Sequence, residues 1–361
     1  PLHPIGKFPF VCYNSSPIMQ IELLKRLCEA PGLPGAEEPV KDIVVSALGE
    51  FTEDIKEDAI GNVVAHVRGD GPKLVLDAHT DEVGFMVSHI DQRGFLRVTP
   101  LGGIDARVFY AQRLVVWGKK PVVGIVAALP PHLSKLSGEK EAPDVEDCLI
   151  DLGLSADKVV SLVKVGDVAS YFSPFIETED AVISKAIDDR VGLFVILEAL
   201  KRTAKINCDL YVSATVQEEV GLRGANVIVP VYEPDFVIAM EGTVSNDLPG
   251  VPEHKTLAKV GKGPEIRLSD KYLVANRALS FFITGVAERQ EIPHQITVKK
   301  AGSTNATAMQ VTGKGTKVSV VSVPVRYLHS PSSIAYKVDI ENTIRLISTV
   351  LEEIRHFDKK I

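Results

Sequence analysis

Cysteine is scarce in this sequence, and its few positions match neither a metal-binding pattern nor a disulfide framework. The 361 residues include Cys12, Cys28, Cys148 and Cys208, which are scattered and show no CxxC spacing. Zinc ribbons and small secreted proteins use denser, paired cysteines. We therefore expect a reduced protein in the cytoplasm.

Long apolar runs and an excess of basic charge are also missing. No run approaches the ~20 apolar residues that a membrane-spanning helix needs, and the first residues show no basic-then-apolar signal pattern. The 40 basic and 47 acidic residues give a net charge of −7, which argues against general nucleic-acid binding. We expect neither a membrane nor a nucleic acid among the partners of this chain.

Apolar residues are plentiful by contrast. They make up 45% of the sequence, so the chain is globular rather than disordered, and its length suffices for a large core and two domains. Residues 1–17 contain Pro4, Pro9 and Pro17 and predict an irregular N-terminal arm. No internal repeat is present.

Helix and strand patterns alternate in two separated parts of the chain, residues 18–82 and 176–361. Apolar periodicity predicts helices over 19–30, 36–51, 193–205, 272–284, 304–311 and 333–357. Apolar runs predict strands over 74–76, 209–216, 236–240, 296–299 and 317–323, and such runs are typical of a parallel sheet buried on both faces. These two parts therefore predict one discontinuous α/β domain with three layers, α/β/α.

Residues 83–175 differ in character from the sequence on either side. Short segments rich in Val, Ile and Leu are separated by turns such as residues 91–94 (DQRG), and one short helix is predicted over 155–162. We predict an inserted, mostly β domain of about ninety residues, which is within ordinary domain size.

Two adjacent carboxylates, Glu218 and Glu219, follow the predicted strand 209–216. Neighbouring residues at a strand end point in different directions, so one carboxylate can bind a metal ion while the other faces a water on that ion. An acidic loop after a strand is a common structural alternative. The pair indicates a metal site only when it is considered together with other polar residues in similar positions.

Further polar side chains also follow predicted strands or open helices: His79, Asp81, Asp188, Glu241 and His329. The carboxyl ends of parallel strands converge on one crevice in an open α/β sheet, so residues far apart in sequence can meet there. Imidazoles and carboxylates without a thiol form a ligand set for borderline divalent ions and leave an open position for water or substrate. The set predicts a catalytic metal site.

Each of these residues also fits a structural role when it is considered alone. Asp188 could cap a helix, His79 could be a hydrogen-bonded histidine at a strand end, and His329 could be a capping or core residue. The spacing of His79 and Asp81 favours ligation, because a carboxylate on the far ring nitrogen fixes the tautomer of a metal-bound histidine. The prediction rests on the whole set.

Four motifs resemble those of the M42 aminopeptidases, the glutamyl-aminopeptidase and tetrahedral-aminopeptidase group of dinuclear metallopeptidases. They occur in the family's order and spacing, and the resemblance extends from Ile18 to the last predicted helix. The motifs are residues 77–84 (DAHTDEVG), 188–192 (DDRVG), 217–225 (QEEVGLRGA) and 326–331 (RYLHSP).

The resemblance implies two divalent metal ions per subunit, Zn²⁺ or Co²⁺, with Mn²⁺ as a third candidate. Asp188 would bridge the two ions. One ion would also bind His79 and Glu241, and the other would bind Glu219 and His329.

The same resemblance assigns roles to the remaining parts. Glu218 would act as general base on a metal-bridging hydroxide, and Asp81 would orient His79. The inserted β domain would be a dimerisation domain, and homodimers would assemble further into a dodecamer.

Two positions depart from the family pattern. Glu241 stands where the family commonly has Asp, and its longer stem moves the carboxylate. Asn305, within residues 303–306 (STNA), replaces another family Asp and removes a charge. Both changes bear on substrate preference more than on the class of reaction.

The function that we expect is hydrolysis of N-terminal residues from short peptides that carry a free N-terminus. A metal-dependent deacylase or a carboxypeptidase-type amidohydrolase on the same scaffold is the nearest alternative, and Glu241 keeps it open. A non-catalytic assembly protein is the alternative of another class, and the complete set of ligands and base argues against it.

Overall fold

A computed structural model describes residues 19–128 and 144–357 of the chain. The predicted N-terminal arm, residues 1–17, lies outside the described residues. Within them, no helix combines the length and the apolar character that crossing a bilayer requires.

A single large sheet forms the central layer of the molecule. Four neighbouring strands run parallel, with antiparallel strands on either side; in order across the sheet they are β12 (Asp209–Thr215), β3 (Lys73–His79), β13 (Phe236–Val244) and β16 (Lys317–Arg326). The strands of this sheet are β1 (Ile55–Glu57), β2 (Val63–Val67), β3 (Lys73–His79), β10 (Ile176–Glu177), β11 (Ala181–Ser184), β12 (Asp209–Thr215), β13 (Phe236–Val244), β14 (Glu265–Ser269), β15 (Gln295–Val298), β16 (Lys317–Arg326) and β17 (Ser333–Tyr336).

Helices cover both faces of this sheet and pack against it through apolar residues. One face is covered by α1 (Ile21–Glu29), α2 (Glu38–Leu48), α4 (Ile187–Arg202), α6 (Arg277–Arg289) and α8 (Lys337–Glu353). The other face is covered by α5 (Ala225–Tyr232) and α7 (Asn305–Val311). A three-layer α/β/α arrangement was predicted from the sequence and is confirmed.

Residues between β3 and β10 build a separate closed barrel with its own core. Its strands, in order around the barrel, are β4 (Gly84–Ile90), β5 (Leu96–Leu101), β8 (Ile150–Asp151), β7 (Pro121–Val126), β6 (Arg113–Trp117) and β9 (Val168–Tyr171). Phe85, Phe109 and Tyr171 pack together in its interior, where helix α3 (Ala156–Leu162) also contributes Val159. Closure removes the unpaired strand edges that an open sheet of this size would expose.

Short 3₁₀ helices complete the regular structure of the described residues. They span Ala106–Val108, Val145–Asp147, Glu253–Lys255 and Ile354–His356.

Several predicted helix boundaries were wrong, and two of these errors have a clear structural cause. Residues 333–336 were assigned to the last helix, but they form strand β17, which pairs with β11 and β16, and the helix begins only at Lys337. The helix predicted over 272–284 begins at Arg277, because the Asn276 side chain accepts a hydrogen bond from Leu279 N at 2.9 Å and caps it there.

Strand β14 was absent from the prediction. Charged Glu265 and Arg267 interrupt its apolar pattern, although both side chains are buried in the structure. Glu265 pairs with Lys299 Nζ at 2.9 Å, and Arg267 pairs with Asp270 at 3.1 Å. Charges are tolerated in a buried strand only when they are paired in this way, and partners distant in sequence are invisible to local periodicity.

Candidate metal centre

The carboxyl ends of the four parallel strands meet at one edge of the sheet and carry the polar residues singled out above. His79 ends β3, Glu241 lies near the end of β13, and His329 follows β16. The register pairs His79 with Thr215, the last residue of β12, from which the chain continues to Glu218 and Glu219. Parallel pairing therefore gathers residues that are up to 250 positions apart in sequence, counted from His79 to His329.

Asp188 lies between the two histidines and directs one carboxylate oxygen toward each. Its Oδ1 is 3.5 Å from His79 Nε2, and its Oδ2 is 3.5 Å from His329 Nε2. Ala186, two residues earlier, has a left-handed backbone, and Asp188 itself is not helical, although it falls at the start of α4. The peptide bond between Asp188 and Asp189 is cis.

Two groups of ligand atoms form around Asp188. The His79 side consists of His79 and Glu241, whose Oε2 is 3.9 Å from His79 Nε2. The His329 side consists of Glu219 and His329, with Glu219 Oε1 3.2 Å from His329 Nε2. The structure thus brings together all five residues that the sequence analysis named as metal ligands.

The hydrogen bonds of the two histidines fix which nitrogen faces the carboxylates. His79 Nδ1 lies 3.0 Å from the backbone carbonyl of Asp81, and His329 Nδ1 lies 2.9 Å from that of Gly103. A carbonyl can only accept, so each Nδ1 donates its proton. Each Nε2 is then left to face carboxylate oxygens, either as a second N–H donor or as a metal ligand.

This donor set fits a pair of divalent cations. Asp188 Oδ1 is buried and has no hydrogen-bond partner among the described residues. Several carboxylates and two imidazole nitrogens converge without any thiol, which is the ligand chemistry of Zn²⁺, Co²⁺ or Mn²⁺ in catalytic sites. Cations at these positions would satisfy Asp188 Oδ1 and the two Nε2 atoms together.

The strong negative charge of the site also appears in the pKa values of its histidines. Burial disfavours the imidazolium of His329, but hydrogen bonds to Asp188 and Glu219 outweigh burial and raise its pKa to about 11. Burial likewise opposes charging of His79, yet the nearby carboxylates of Asp188 and Asp81 hold its pKa well above the usual value. In the metal-free protein, protons therefore take the place of cations.

Glu218 lies close to both groups of ligand atoms, the His79 side and the His329 side, but it is not one of the five predicted ligands. Burial, together with the charges of Glu219, Asp81 and Asp188, raises the pKa of Glu218 to about 8. Its carboxylate lies near His79 and Glu219, and it lines the cavity in front of the site. A carboxyl group whose pKa is shifted toward neutrality is suited to proton transfer.

Asp81 supports the site in a way that the spacing of residues 79 and 81 did not reveal. Its two carboxylate oxygens accept hydrogen bonds from Glu218 N at 2.9 Å and Glu219 N at 3.0 Å. The distance from its Oδ1 to His79 Nδ1 is 3.5 Å, longer than the bond from that nitrogen to the Asp81 carbonyl. Asp81 therefore holds the Glu218–Glu219 turn with its side chain and His79 chiefly with its backbone.

A second layer of buried polar residues lies behind the ligands. Asp189 accepts a hydrogen bond from His79 N at 3.2 Å and another from Gly192 N at 3.0 Å. Asn305 donates from Nδ2 to Asp77 Oδ2 at 2.8 Å and to Thr215 Oγ1 at 2.7 Å. An amide at position 305 thus supplies a donor to a buried carboxylate, where the family's Asp would place a second acidic group.

A cavity of about 690 Å³ opens in front of the metal ligands. Arg267, Lys299 and Thr243 form part of its wall, and Lys299 and Arg267 both hydrogen-bond to Thr243 Oγ1. The sequence analysis missed Arg267 and Lys299. The only local signal was the alternation of charged and apolar residues at 265–267, which indicates a strand but not its burial.

Comparison with known proteins agrees with the motifs. A family model described as M42 glutamyl aminopeptidase matches residues 61–346. A lysyl aminopeptidase from Pyrococcus furiosus is 34% identical over 347 residues, which cover 93% of this chain and 98% of that protein.

Solved structures show the same likeness in three dimensions. A TET aminopeptidase from the Thaumarchaeota archaeon SCGC AB-539-E09 has a TM-score of 0.88 and 36% identity, covering 94% of this chain and 98% of that one. The TET1 peptidase of Pyrococcus horikoshii, which can assemble into a tetrahedron or a large octahedral shell, has a TM-score of 0.83 and 33% identity. That likeness covers 92% of this chain and 98% of the TET1 chain.

Proposed function

The chain belongs to the M42 glutamyl aminopeptidase family and is a metal-dependent aminopeptidase, and on that premise we propose how its residues divide the work. His79, Asp188 and Glu241 hold one divalent ion. Asp188, Glu219 and His329 hold the other. The observation that carries this assignment is the placement of Asp188, with one oxygen 3.5 Å from each histidine Nε2.

Zn²⁺ or Co²⁺ is the metal that we propose, with Mn²⁺ as a further candidate, since imidazole and carboxylate ligands suit these borderline ions. When bound, such a pair lowers the pKa of a water molecule and polarises the carbonyl of the scissile peptide bond. All further steps belong to side chains of this chain.

Glu218 is the proposed general base. Its carboxylate takes a proton from the attacking water and passes it to the nitrogen of the leaving amine. Asp81 positions this residue, because it accepts the backbone N–H groups of Glu218 and Glu219 at 2.9 and 3.0 Å.

We also propose that the enzyme prefers an acidic N-terminal residue. Arg267 and Lys299 line the cavity, and their side chains are only 5% exposed, so a substrate carboxylate would meet them with little intervening water. Glu265 and Asp270 neutralise these two cations, so a substrate carboxylate would bind by sharing their N–H groups rather than through an excess of positive charge. A lysyl side chain would face the same two cations and be disfavoured.

A panel of chromogenic substrates tests both the reaction and this preference. Purified protein supplemented with Zn²⁺, Co²⁺ or Mn²⁺ receives glutamyl, leucyl and lysyl substrates and an N-acetylated glutamyl control. We expect the highest kcat/KM with the glutamyl substrate and no hydrolysis of the acetylated control. Hydrolysis of the acetylated substrate would favour the deacylase alternative, and preference for the lysyl substrate would contradict the acidic preference alone.

The assembly that we propose is a homodimer formed through the barrel, residues 83–175, and a dodecamer built from such dimers. Apolar Val123 and Ile125 on barrel strand β7 are 48% and 52% exposed, which is consistent with a surface that becomes covered. The free, buried cysteines Cys28, Cys148 and Cys208 support a reducing compartment such as the cytoplasm. Mass photometry of the purified protein measures the subunit number.

A further inference from the structure

His329 donates its orienting hydrogen bond to the barrel rather than to the domain that carries it. Its Nδ1 donates to the carbonyl of Gly103 at 2.9 Å, across a sequence separation of 226 residues. Gly103 follows barrel strand β5, whereas His329 follows strand β16 of the central sheet. The imidazole of His329, which is 31% exposed, thus depends on a contact with the barrel for its orientation.

The neighbouring Gly102 contacts the other residue of the His329 side. A Cβ atom added at Gly102 would lie 3.2 Å from Glu219 Cβ and 2.8 Å from Val83 Cγ1, closer than side chains normally approach. The φ of Gly102 is +88°, a backbone conformation that residues other than glycine rarely adopt. Two successive glycines therefore fit against Glu219 and His329 together.

In the part of the barrel that the structure describes, no residue hydrogen-bonds to His79 or Glu241 on the His79 side. His79 is held by the carbonyl of Asp81 and by the carboxylate of Asp189, which accepts its backbone N–H. Both partners belong to segments that flank the central sheet. The two sides of the site thus differ in which part of the fold orients them.

We propose that the barrel loop at Gly102 and Gly103 is a positioning element of the metal centre and sets the metal affinity of the His329 side. The proposal rests on the metal assignment given above. It predicts that disturbing the loop weakens one metal position and leaves the other unchanged. Loss of a hydrogen bond to a ligating histidine typically lowers metal affinity by about 10- to 100-fold.

The test uses Gly102→Ala in the full chain, stripped of metal and titrated with Zn²⁺ alone. The added Cβ and the left-handed backbone push the loop away from Glu219 and release His329 Nδ1. We expect one equivalent of Zn²⁺ to bind with wild-type affinity and the second to bind about 10- to 100-fold more weakly. Isothermal titration calorimetry reports the affinities, and elemental analysis after dialysis reports the stoichiometry.

A control variant separates the contact from general effects on the barrel. Gly166, also in the barrel region, has a φ of +93° and no atom within 4 Å of an added Cβ, so Gly166→Ala imposes a similar backbone cost without touching the site. This control should retain two equivalents at wild-type affinity.

A second variant covers the case in which Gly102→Ala does not fold. Gly102→Asn tolerates a positive φ better while still adding a Cβ against Glu219, and it should show the same selective weakening. Two unchanged equivalents in a folded Gly102 variant, or equal weakening of both, would overturn the inference. A wild-type protein that binds fewer than two equivalents would instead refute the metal assignment, and the inference with it.

Discussion

The His79 side and the His329 side share Asp188 but are built on different principles. His79 ends a central strand with 1% of its side chain exposed, and the surrounding sheet dictates its position. His329 lies in a loop, has a left-handed backbone with φ +58° and 31% side-chain exposure, and relies on the barrel for its ring orientation. The Asp188 carboxylate thus lies between a histidine that a buried strand holds and a histidine that a partly exposed loop carries.

This difference teaches how an inserted domain can become part of a site without contributing a ligand. The barrel supplies a backbone carbonyl and a close glycine contact, and both act on the more exposed side of the site. A ligand held in a strand loses little freedom when metal binds, whereas a ligand in an exposed loop loses more unless it is already oriented. The barrel contact provides that orientation in advance.

The largest effect is expected from a change that leaves both sides intact. Glu218→Gln keeps the shape of the side chain and removes the general base, so kcat should fall by about 10²- to 10⁴-fold. Metal stoichiometry, measured by elemental analysis, should stay at the wild-type value. Turnover close to wild type in the purified variant would refute the role of Glu218.

Replacing each histidine in turn compares the two sides directly. In the metal-free protein, His79→Ala removes a buried partner of Asp188 and should lower the free energy of unfolding by about 3–5 kcal/mol. His329→Ala affects a partly exposed group, and solvent screening reduces the expected loss to about 1 kcal/mol. Each variant should also lose one metal ion.

Urea denaturation of the metal-free wild type and of the two metal-free variants measures this difference in stability. Equal losses for the two histidines would show that their different burial has no energetic consequence. Unchanged metal content in either variant would remove that histidine from the ligand set.

The pH dependence of metal binding sharpens the comparison further. The pKa of His329 is raised to about 11 in the metal-free protein, so this histidine is protonated at pH 7 and must lose its proton when metal binds. Metal affinity should therefore rise with pH, by about tenfold per pH unit for each proton released. Calorimetry of the wild type in buffers of different ionisation enthalpy counts these protons.

His329→Ala provides the matched measurement, since it should release at least one proton fewer when its remaining metal binds. Equal proton release by wild type and variant would contradict a protonated His329 in the metal-free site.

The smallest effect, a change in stability that depends on pH, is expected from a substitution at Asn305, which lies behind the His79 side. Burial raises the pKa of Asp77 to about 6, and hydrogen bonds from Ser213 and Asn305 limit that rise. Asn305→Asp replaces a donor by a second acidic group, so one folded-state pKa rises further above its unfolded value. Stability is then retained at low pH and lost as pH rises through that folded-state pKa.

We expect the metal-free Asn305→Asp protein to match the wild type closely at pH 5 and to be less stable by about 1–2 kcal/mol at pH 8. Urea denaturation at the two pH values measures this. Asn305→Ala removes the donor without adding an acid and should show a weaker dependence on pH. A loss that is equal at both pH values would point to packing rather than charge.

Much of the fold was accessible from local sequence patterns. The apolar runs at 74–76, 209–216 and 236–240 predicted buried parallel strands, and those strands form the centre of the sheet. The predictions failed where distant partners override local preference. Residues 333–336 pair into a strand ahead of the last helix, and the charges of β14 are buried because Lys299 and Asp270 neutralise them.

The candidate site divides in the same way. Residue type and position after a strand singled out His79, Asp188, Glu219, Glu241 and His329, and the structure brings all five together. No pattern in the sequence indicated the cavity wall of Arg267 and Lys299 or the carbonyl of Gly103. A backbone carbonyl carries no signal in its residue type, and a buried ion pair becomes visible only when both partners are placed.

The sequence by itself determined which chemistry is available, because imidazoles, carboxylates and the order of strands are written in residue types and their local spacing. Only the tertiary structure decided which side of the site rests on the barrel, and which charges face the substrate cavity. The physical reason is that hydrogen bonds and ion pairs act over about 3 Å. Sheet register and loop closure alone set such distances between residues that are hundreds of positions apart.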